Sequence, residues 1–411
     1  MTQHVDPRWL DRTTAPHVAT LVAIAGISAL TMNIFLPALP SMAAFFDADY
    51  AVVQLAISAY LAVTALLQII IGPLSDRFGR RPILLWGFGL FVLATLGCVI
   101  SSSIEMLLFF RMLQAGVASG IVLSRAIVRD MVPPEKAASM IGYVTMGMSL
   151  VPMVGPVIGG VLNAAYGWQA SFVMLAVLGL AVLWLVWADL GETNTHKSES
   201  FGAQFRAYPD LIRSRRFWGY TLTAGFASGA FFAFIGGAPF VSTEILGLNS
   251  AEMGGYFGIV AFGYMTGNFL SGRYSQRAGL NKMMLIGGVV ATTGSILSMI
   301  LFGLGVLHPL SLFGPMFLVG GGNGLTLPSA NAGIVSVRPQ LAGSASGLGG
   351  AITIGGGAGL SAMTGVILSA ESGAFPLFAL MLSVSLLSVL SAIYVIWVAK
   401  HAGSLGEDGF A

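Results

Sequence analysis

Twelve long apolar runs divide this chain, at 17–40, 51–72, 82–101, 104–126, 138–162, 168–189, 217–242, 251–272, 282–303, 310–334, 342–369 and 374–399. Each reaches the ~20 residues a helix needs to cross ~30 Å of hydrocarbon. A chain in lipid must satisfy its backbone N–H and C=O groups internally, and at these run lengths the helix is the element that does so. The pattern predicts an all-α integral membrane protein with twelve transmembrane helices. A composition of 56% hydrophobic and 9% charged residues excludes a water-soluble domain, which averages about a quarter charged.

Once the runs are threaded through a bilayer, every one of the 19 Lys and Arg residues except Arg111 falls on one face. Arg8 and Arg12 lie in the amino-terminal tail, Arg77, Arg80 and Arg81 in loop 2–3, and Arg125, Arg129 and Lys136 around loop 4–5. Lys197, Arg206, Arg213, Arg215 and Arg216 occupy the centre, Arg273, Arg277 and Lys282 loop 8–9, Arg338 loop 10–11, and Lys400 the carboxyl-terminal tail. The opposite loops carry Asp47, Asp49, Glu105, Glu244, Glu252 and Glu371 and neither Lys nor Arg. The positive-inside rule then predicts both termini in the cytoplasm. A net charge of +2 reads as topology and contact with anionic lipid rather than nucleic-acid binding. The single cysteine, Cys98, allows no disulfide within the chain, and the first run is too long for a signal-peptide core.

Loop 2–3 reads GPLSDRFGRRP at 72–82 and loop 8–9 reads GRYSQRAGLNK at 272–282, so Gly72, Ser75, Arg77 and Gly79 recur as Gly272, Ser275, Arg277 and Gly279. Gln68 has the polar counterpart Asn268 at the same separation. Two copies of a six-span unit are expected: a tail at 1–16, a bundle at 17–189, a charged cytoplasmic linker at 190–216, a second bundle at 217–399, and a tail at 400–411. A parallel six-span repeat points to a transporter with its substrate site near mid-membrane, between the halves. The Gly-rich span 11 reads as a helix that moves or is closely crossed.

GPLSDRFGRRP resembles the loop 2–3 signature of the major facilitator superfamily. Together with ALP at 38–40, RAIVRD at 125–130 and GPVIGG at 155–160, it resembles the Bcr/CflA branch of twelve-span drug:proton antiporters. The resemblance implies the major facilitator fold, a bacterial inner-membrane location, a monomer, no cofactor, and efflux of small amphiphiles in exchange for protons. In the loop, Gly72 and Gly79 are expected to make a tight turn. Asp76 is placed to cap a helix amino terminus and to pair with Arg77 or Arg81, beside Arg80, with Asp130 and Arg129 joining from span 4. The second copy has Gln276 where the first has Asp76, which predicts an asymmetric gate. In span 5, Pro152 and Pro156 bend the helix while Gly155, Gly159 and Gly160 give a smooth packing face. That pattern is typical of exporters in the resembled family.

Arg111 lies well inside span 4, where a guanidinium costs a few kcal/mol and must face a cavity or a partner. It is read either as functional, with Gln114 one turn on, or as a bond to kinked backbone near Pro37 of span 1. The surrounding RMLQAG resembles a span 4 motif linked to proton coupling in the family. The resembled branch carries an Asp four residues before the Pro of LPALP; here that position is Asn33. None of the 17 Asp and Glu residues sits mid-helix, and none of the five His lies inside a span. Proton exchange would then fall to Asp76, Asp130, Glu105 or Glu244. With no cavity acid beside a retained Arg111, substrate preference should shift from cations toward neutral or anionic amphiphiles. Met32, Asn33, Tyr60, Met146, Phe231, Phe234 and Asn323 are the remaining pocket candidates, Met and aromatic groups for adaptable packing and Asn for orientation. Two alternatives stay open: an exporter of one physiological solute such as a sugar, amino acid or siderophore, and a non-translocating membrane sensor. The absence of GxxxxGK[ST] counts against an ATP-driven pump, and no metal cluster or cofactor loop supports enzyme chemistry.

Overall fold

Proline and glycine set where the helices of this chain bend, cross and end. The computed structural model describes residues 9–131, 144, 151, 154–194, 208–338, 341–369 and 371–401. Met146 and Pro152, and the side chains of Arg129 and Gln276, lie outside the described residues. The described part is helical through the apolar runs, with no strand among the described residues. Among the described residues, ten helices are long and apolar enough to cross a membrane. Span 5 contributes the shorter apolar helix Val154–Tyr166. Span 8, Ser250–Ala278, has 29 residues and is long enough to cross, but its Gly, Ser, Thr and Asn content makes it less apolar.

Span 1 is broken by Pro37, which lacks an N–H and whose ring conflicts with the carbonyl four residues back. Helix Val18–Asn33 stops there, a 3₁₀ turn takes Leu36–Ala38, and helix resumes over Leu39–Phe46, beyond the apolar run that ends at residue 40. Span 4 is likewise interrupted: Ile104–Leu113, a 3₁₀ turn at Gln114–Val117, then Ala118–Met131. That turn is crossed tightly by span 3 (Arg80–Val99), since a Cβ on Gly87 would meet the Gly116 carbonyl oxygen at 2.9 Å. Span 7 runs Arg215–Phe240 and, after Pro239, ends in a π turn over Val241–Ile245.

Loops 2–3 and 8–9 are the same structure twice. Span 2 ends in helix Leu55–Phe78 and span 3 begins at Arg80, leaving Gly79 as the whole connection; Gly279 does the same between Ser250–Ala278 and Leu280–Gly303. Their backbones sit at φ 105 and 82 with ψ near 150, a region that essentially only glycine adopts. Each glycine N–H donates to the carbonyl four residues back, Ser75 at 2.9 Å and Ser275 at 2.8 Å. Gly72, expected in the turn, lies inside the helix, because one glycine suffices for the reversal.

Helix packing repeats as well. In the first half, span 1 packs on spans 4 and 6 (Gln169–Asp189), span 2 on 4, and span 3 on 4 and 6. In the second, span 7 packs on spans 10 (Pro309–Ser336) and 12 (Phe375–Lys400), span 8 on 10, and span 9 on 10 and 12. Hydroxyls join these pairs: Ser28 Oγ donates to Val117 O at 2.7 Å between spans 1 and 4, and Ser388 Oγ to Thr223 O at 3.1 Å between spans 12 and 7. Small residues at crossings replace the hydrophobic drive that lipid removes. The halves meet chiefly where span 2 runs against span 11, Ala342–Ile367.

Gly79→Ala and Gly279→Ala should each cost about 1–3 kcal/mol from backbone strain. Gly79→Ala should be the worse, because its Cβ would overlap the Glu192 carboxylate while a Cβ on Gly279 meets nothing within 4 Å. Thermal unfolding of the two variants in detergent, side by side, checks the order.

Candidate functional site

Arg111 is 1% exposed and has a defined set of partners. Its Nε donates to Ala56 O of span 2 at 3.0 Å, one terminal nitrogen to Thr31 O of span 1 at 2.9 Å, and the other to Gln114 Oε1. Gln114 Nε2 donates onward to Thr95 Oγ1 of span 3 at 2.7 Å. The guanidinium carbon lies 4.2 Å from the centre of the Phe35 ring and 4.1 Å from that of Tyr60. Three charge-assisted bonds at about 1.5–3 kcal/mol each, plus two ring faces, are large enough to offset an insertion cost of about 2.5–3.5 kcal/mol. The side chain therefore ties spans 1, 2, 3 and 4 together beside the Pro37 break. The geometry includes both the contact with Gln114 and a bond to span 1 backbone beside the Pro37 break. Tyr60, a pocket candidate, is 1% exposed with its ring against the guanidinium.

Asn33 sits two residues beyond Thr31 and is 3% exposed. Its Nδ2 donates to Ala29 O at 3.1 Å, and its Oδ1 has no partner among the described residues. Asn323 of span 10 is also 3% exposed with an unpartnered Oδ1. Met32 and Phe231 are part-buried against the core. Phe234 is fully buried, 5.4 Å from the Phe257 ring and 5.9 Å from the Phe313 ring, so it packs spans 7, 8 and 10 of one half rather than lining a pocket.

On the face opposite the basic loops, polar side chains join the halves. Gln54, at the head of span 2, donates through Nε2 to Ser361 O, to Ser361 Oγ at 3.1 Å and to Thr364 Oγ1 at 3.0 Å of span 11. Tyr50 donates to Gly236 O of span 7 at 3.1 Å. Asn163, at the end of span 5, accepts from Ser41 Oγ at 2.9 Å and donates to Ser250 Oγ of span 8 at 2.7 Å. The span 5 glycines divide this work between two neighbours. Gly155 and Gly159 lie against Leu30 and Ile34 of span 1, and a Cβ on Gly159 would overlap the Ile34 carbonyl. Gly160 lies against Ser250 and Gly254, and Gly254 in turn against the Pro156 carbonyl.

On the basic face, Arg80 is the centre of the loop 2–3 cluster. Its guanidinium pairs with Asp76, four residues back across the Gly79 reversal, and with Asp130 of span 4, Nε to Oδ2 at 3.0 Å, and also donates to Ser75 Oγ. Arg77 stacks on Phe78, 5.5 Å from the ring centre. Arg81 turns away to donate to Leu190 O at 2.8 Å and Trp187 O at 3.2 Å at the end of span 6. The amino terminus of span 3 is capped by Glu192, whose carboxylate accepts from Arg80 N at 2.9 Å and Arg81 N at 3.3 Å. Asp76 belongs to the helix before the glycine reversal and pairs with Arg80 across it. All of these residues belong to the first half and the chain just after it.

Residues 21–362 match the Major Facilitator Superfamily. The chain belongs to that superfamily. A Bacillus subtilis MFS-type transporter, YdgK, is 30% identical over 395 residues, 94% of this chain and 96% of that protein. Multidrug resistance protein D of Escherichia coli is 29% identical over 389 residues, 93% of this chain and 96% of the relative. A chloramphenicol resistance protein of Pseudomonas aeruginosa is 30% identical over 296 residues, 72% of this chain and 70% of the relative. Among solved structures, a bacterial homologue of the human lysosomal transporter Spinster, in an inward-facing and occupied conformation, superposes with a TM-score of 0.70 at 17% identity, covering 93% of this chain and 96% of that one.

For a major facilitator chain, the sequence reading located Arg111, Gln114, Asn33 and the loop 2–3 cluster. It missed Gln54, Asn163, Glu192 and Asp189. Gln54 and Asn163 are single amides at span ends, where polar residues are common, and only the partner helix reveals them. A signal for Glu192 did exist: an acid three residues past span 6, followed by Thr193 and Asn194, is the composition that binds helix ends.

Arg111→Lys should lower stability by about 2–3 kcal/mol, because a single ammonium cannot reach Thr31, Ala56 and Gln114 in the guanidinium fork or stack between two rings. Thermal unfolding in detergent measures this, and an unchanged midpoint would contradict the staple.

Proposed function

We propose that this protein exports small, neutral amphiphilic molecules across a bacterial inner membrane by alternating access, in exchange for protons. Two six-helix halves, 17–189 and 217–399, move about the site between them, with 190–216 as their cytoplasmic connection and both termini in the cytoplasm. The protein works as a monomer in lipid. The names of the relatives, multidrug and chloramphenicol resistance proteins, support efflux of drug-like compounds.

The observation that carries the substrate class is the partner set of Arg111. It is bound by two carbonyls, an amide oxygen and two ring faces, with no carboxylate in the set. Its positive charge is left uncompensated in a low-dielectric region, next to a span that carries Asn33 in place of an acid. A lipophilic cation entering there meets repulsion, whereas a neutral molecule does not. The unpartnered oxygens of Asn33 and Asn323 supply acceptors for a substrate hydroxyl or amide N–H, and Met32 and Phe231 supply adaptable apolar surface. Asp76 and Asp130, sharing Arg80, are the groups through which a proton could be exchanged at the basic face, because losing one carboxylate charge weakens the pairing that holds span 2 to span 4.

The contacts of Gln54, Tyr50 and Asn163 with the second half close the face opposite the basic loops. They are neutral hydrogen bonds that can break without separating charges, which suits a gate that opens in each cycle. Gly160→Val places a branched side chain against the Ser250 carbonyl and should hold that face apart. Transport should be abolished with folding intact, and a cysteine placed between spans 5 and 8 should become reactive to an impermeant maleimide added from outside. Retained transport would remove Gly160 from the gate.

Asn33→Asp should raise uptake of a cationic dye into inverted vesicles and lower that of a neutral phenicol. The electrostatic change of placing a carboxylate near Arg111 is worth about tenfold in their ratio. An unchanged ratio would refute the charge argument and favour an exporter of one physiological solute.

A further inference from the structure

The segment that leaves span 6 carries an arrangement of hydrogen bonds that the gate described above does not use. Asp189 is fully buried and accepts from Leu10 N at 2.6 Å, His17 N at 3.0 Å and Thr20 Oγ1 at 2.6 Å, which fixes the start of span 1. Three residues on, Glu192 accepts from Arg80 N and Arg81 N at the start of span 3. Thr193 Oγ1 donates to Asp130 Oδ2 of span 4 at 3.2 Å, and Asn194 Nδ2 to Asp76 O of span 2 at 3.0 Å. Six consecutive residues thus touch the basic-face ends of spans 1, 2, 3 and 4.

We propose that Glu192 is the positioning residue of the loop 2–3 gate: its carboxylate clamps the first turn of span 3 so that Arg80 is held between Asp76 and Asp130. Three observations converge on it. The backbone N–H groups of Arg80 and Arg81 are orphan donors at a helix amino terminus, where a carboxylate also meets the positive end of the helix dipole. Gly79 leaves the space the carboxylate occupies, whereas the repeat-related Gly279 has nothing among the described residues within 4 Å of its would-be Cβ. Arg81, next to Arg80, reaches back to Leu190 and Trp187, so the loop and the span 6 end hold each other in both directions. Among the described residues, the asymmetry of the two repeats therefore extends beyond Asp76 and Gln276 to the segment that fastens the loop. The first half turns as one body at this face, and its loop does not flex separately.

The inference takes the transport reading as its setting, and its test has one arm that does not depend on it. Hydrogen exchange on the purified full-length protein, without substrate, reads the amides of 79–84. Glu192→Ala should speed their exchange about fivefold, the effect of removing a helix cap, while 279–284 stay as in the parent. Glu192→Gln, which keeps an acceptor for Arg80 N, should restore most of the protection. Glu192→Asp, one methylene short, is the second variant should the alanine protein not be recovered folded, and should expose the same amides. In vesicles, Glu192→Ala should lower the maximal rate about fivefold with KM unchanged, and Glu192→Gln should recover most of the rate. Parent-like exchange at 79–84 in both Glu192→Ala and Glu192→Asp, or a raised KM at an unchanged maximal rate, would overturn the proposal. A parent protein that transports neither test drug would count against the efflux reading and leave the exchange result standing on its own.

Discussion

A guanidinium buried in hydrocarbon has to be surrounded by acceptors, and much of the first half is arranged around that requirement at Arg111. Pro37 breaks span 1 and the 3₁₀ turn breaks span 4 within a few residues of it. Span 2 supplies a carbonyl from its first helical turn, span 3 supplies Thr95 through Gln114, and two rings close the faces. In water such a cluster would be worth little. In lipid each contact replaces one that nothing else offers, so the four helices are fixed relative to one another at that depth.

A first half fixed in this way at mid-depth is fixed again at the basic face. Asp189 and Glu192 lock the starts of spans 1 and 3, and Arg80 ties span 2 to span 4. The second half is held differently. Its spans meet through Ser and Thr hydroxyls and through glycine crossings such as Gly263 and Gly267 against the span 10 backbone. Contacts of that kind allow sliding at small cost. The two halves share a packing pattern, and the neutral contacts of Gln54 and Asn163 join them on the face opposite the basic loops.

The membrane class and the matching loops 2–3 and 8–9 were legible because lipid imposes length and charge rules on every segment, and because Gly79 and Gly279 each serve a one-residue reversal that only glycine can make. Arg111 and Asn33 were legible as exceptions to those rules. Their roles were not, since a sequence does not say which carbonyl a guanidinium meets. The expected partners of Asp76, Arg77 or Arg81, give way to Arg80 because loop 2–3 is not a turn of several residues. The observed reversal is one residue long and leaves Asp76 on the helix before it, with Glu192 brought to the vacant amino terminus from more than a hundred residues away. Phe234 and Tyr60 illustrate a second limit: an aromatic residue at mid-span has the same appearance in sequence whether it packs, stacks on a cation or lines a cavity.

The proposed preference for neutral molecules rests on Arg111, a buried cation well inside span 4 with no carboxylate in its partner set. Uptake of a neutral phenicol and of a cationic dye into inverted membrane vesicles, with and without an imposed proton gradient, tests this most directly. The account predicts gradient-dependent accumulation of the phenicol and little of the dye. Preferential accumulation of the dye, or phenicol uptake indifferent to the gradient, would contradict it.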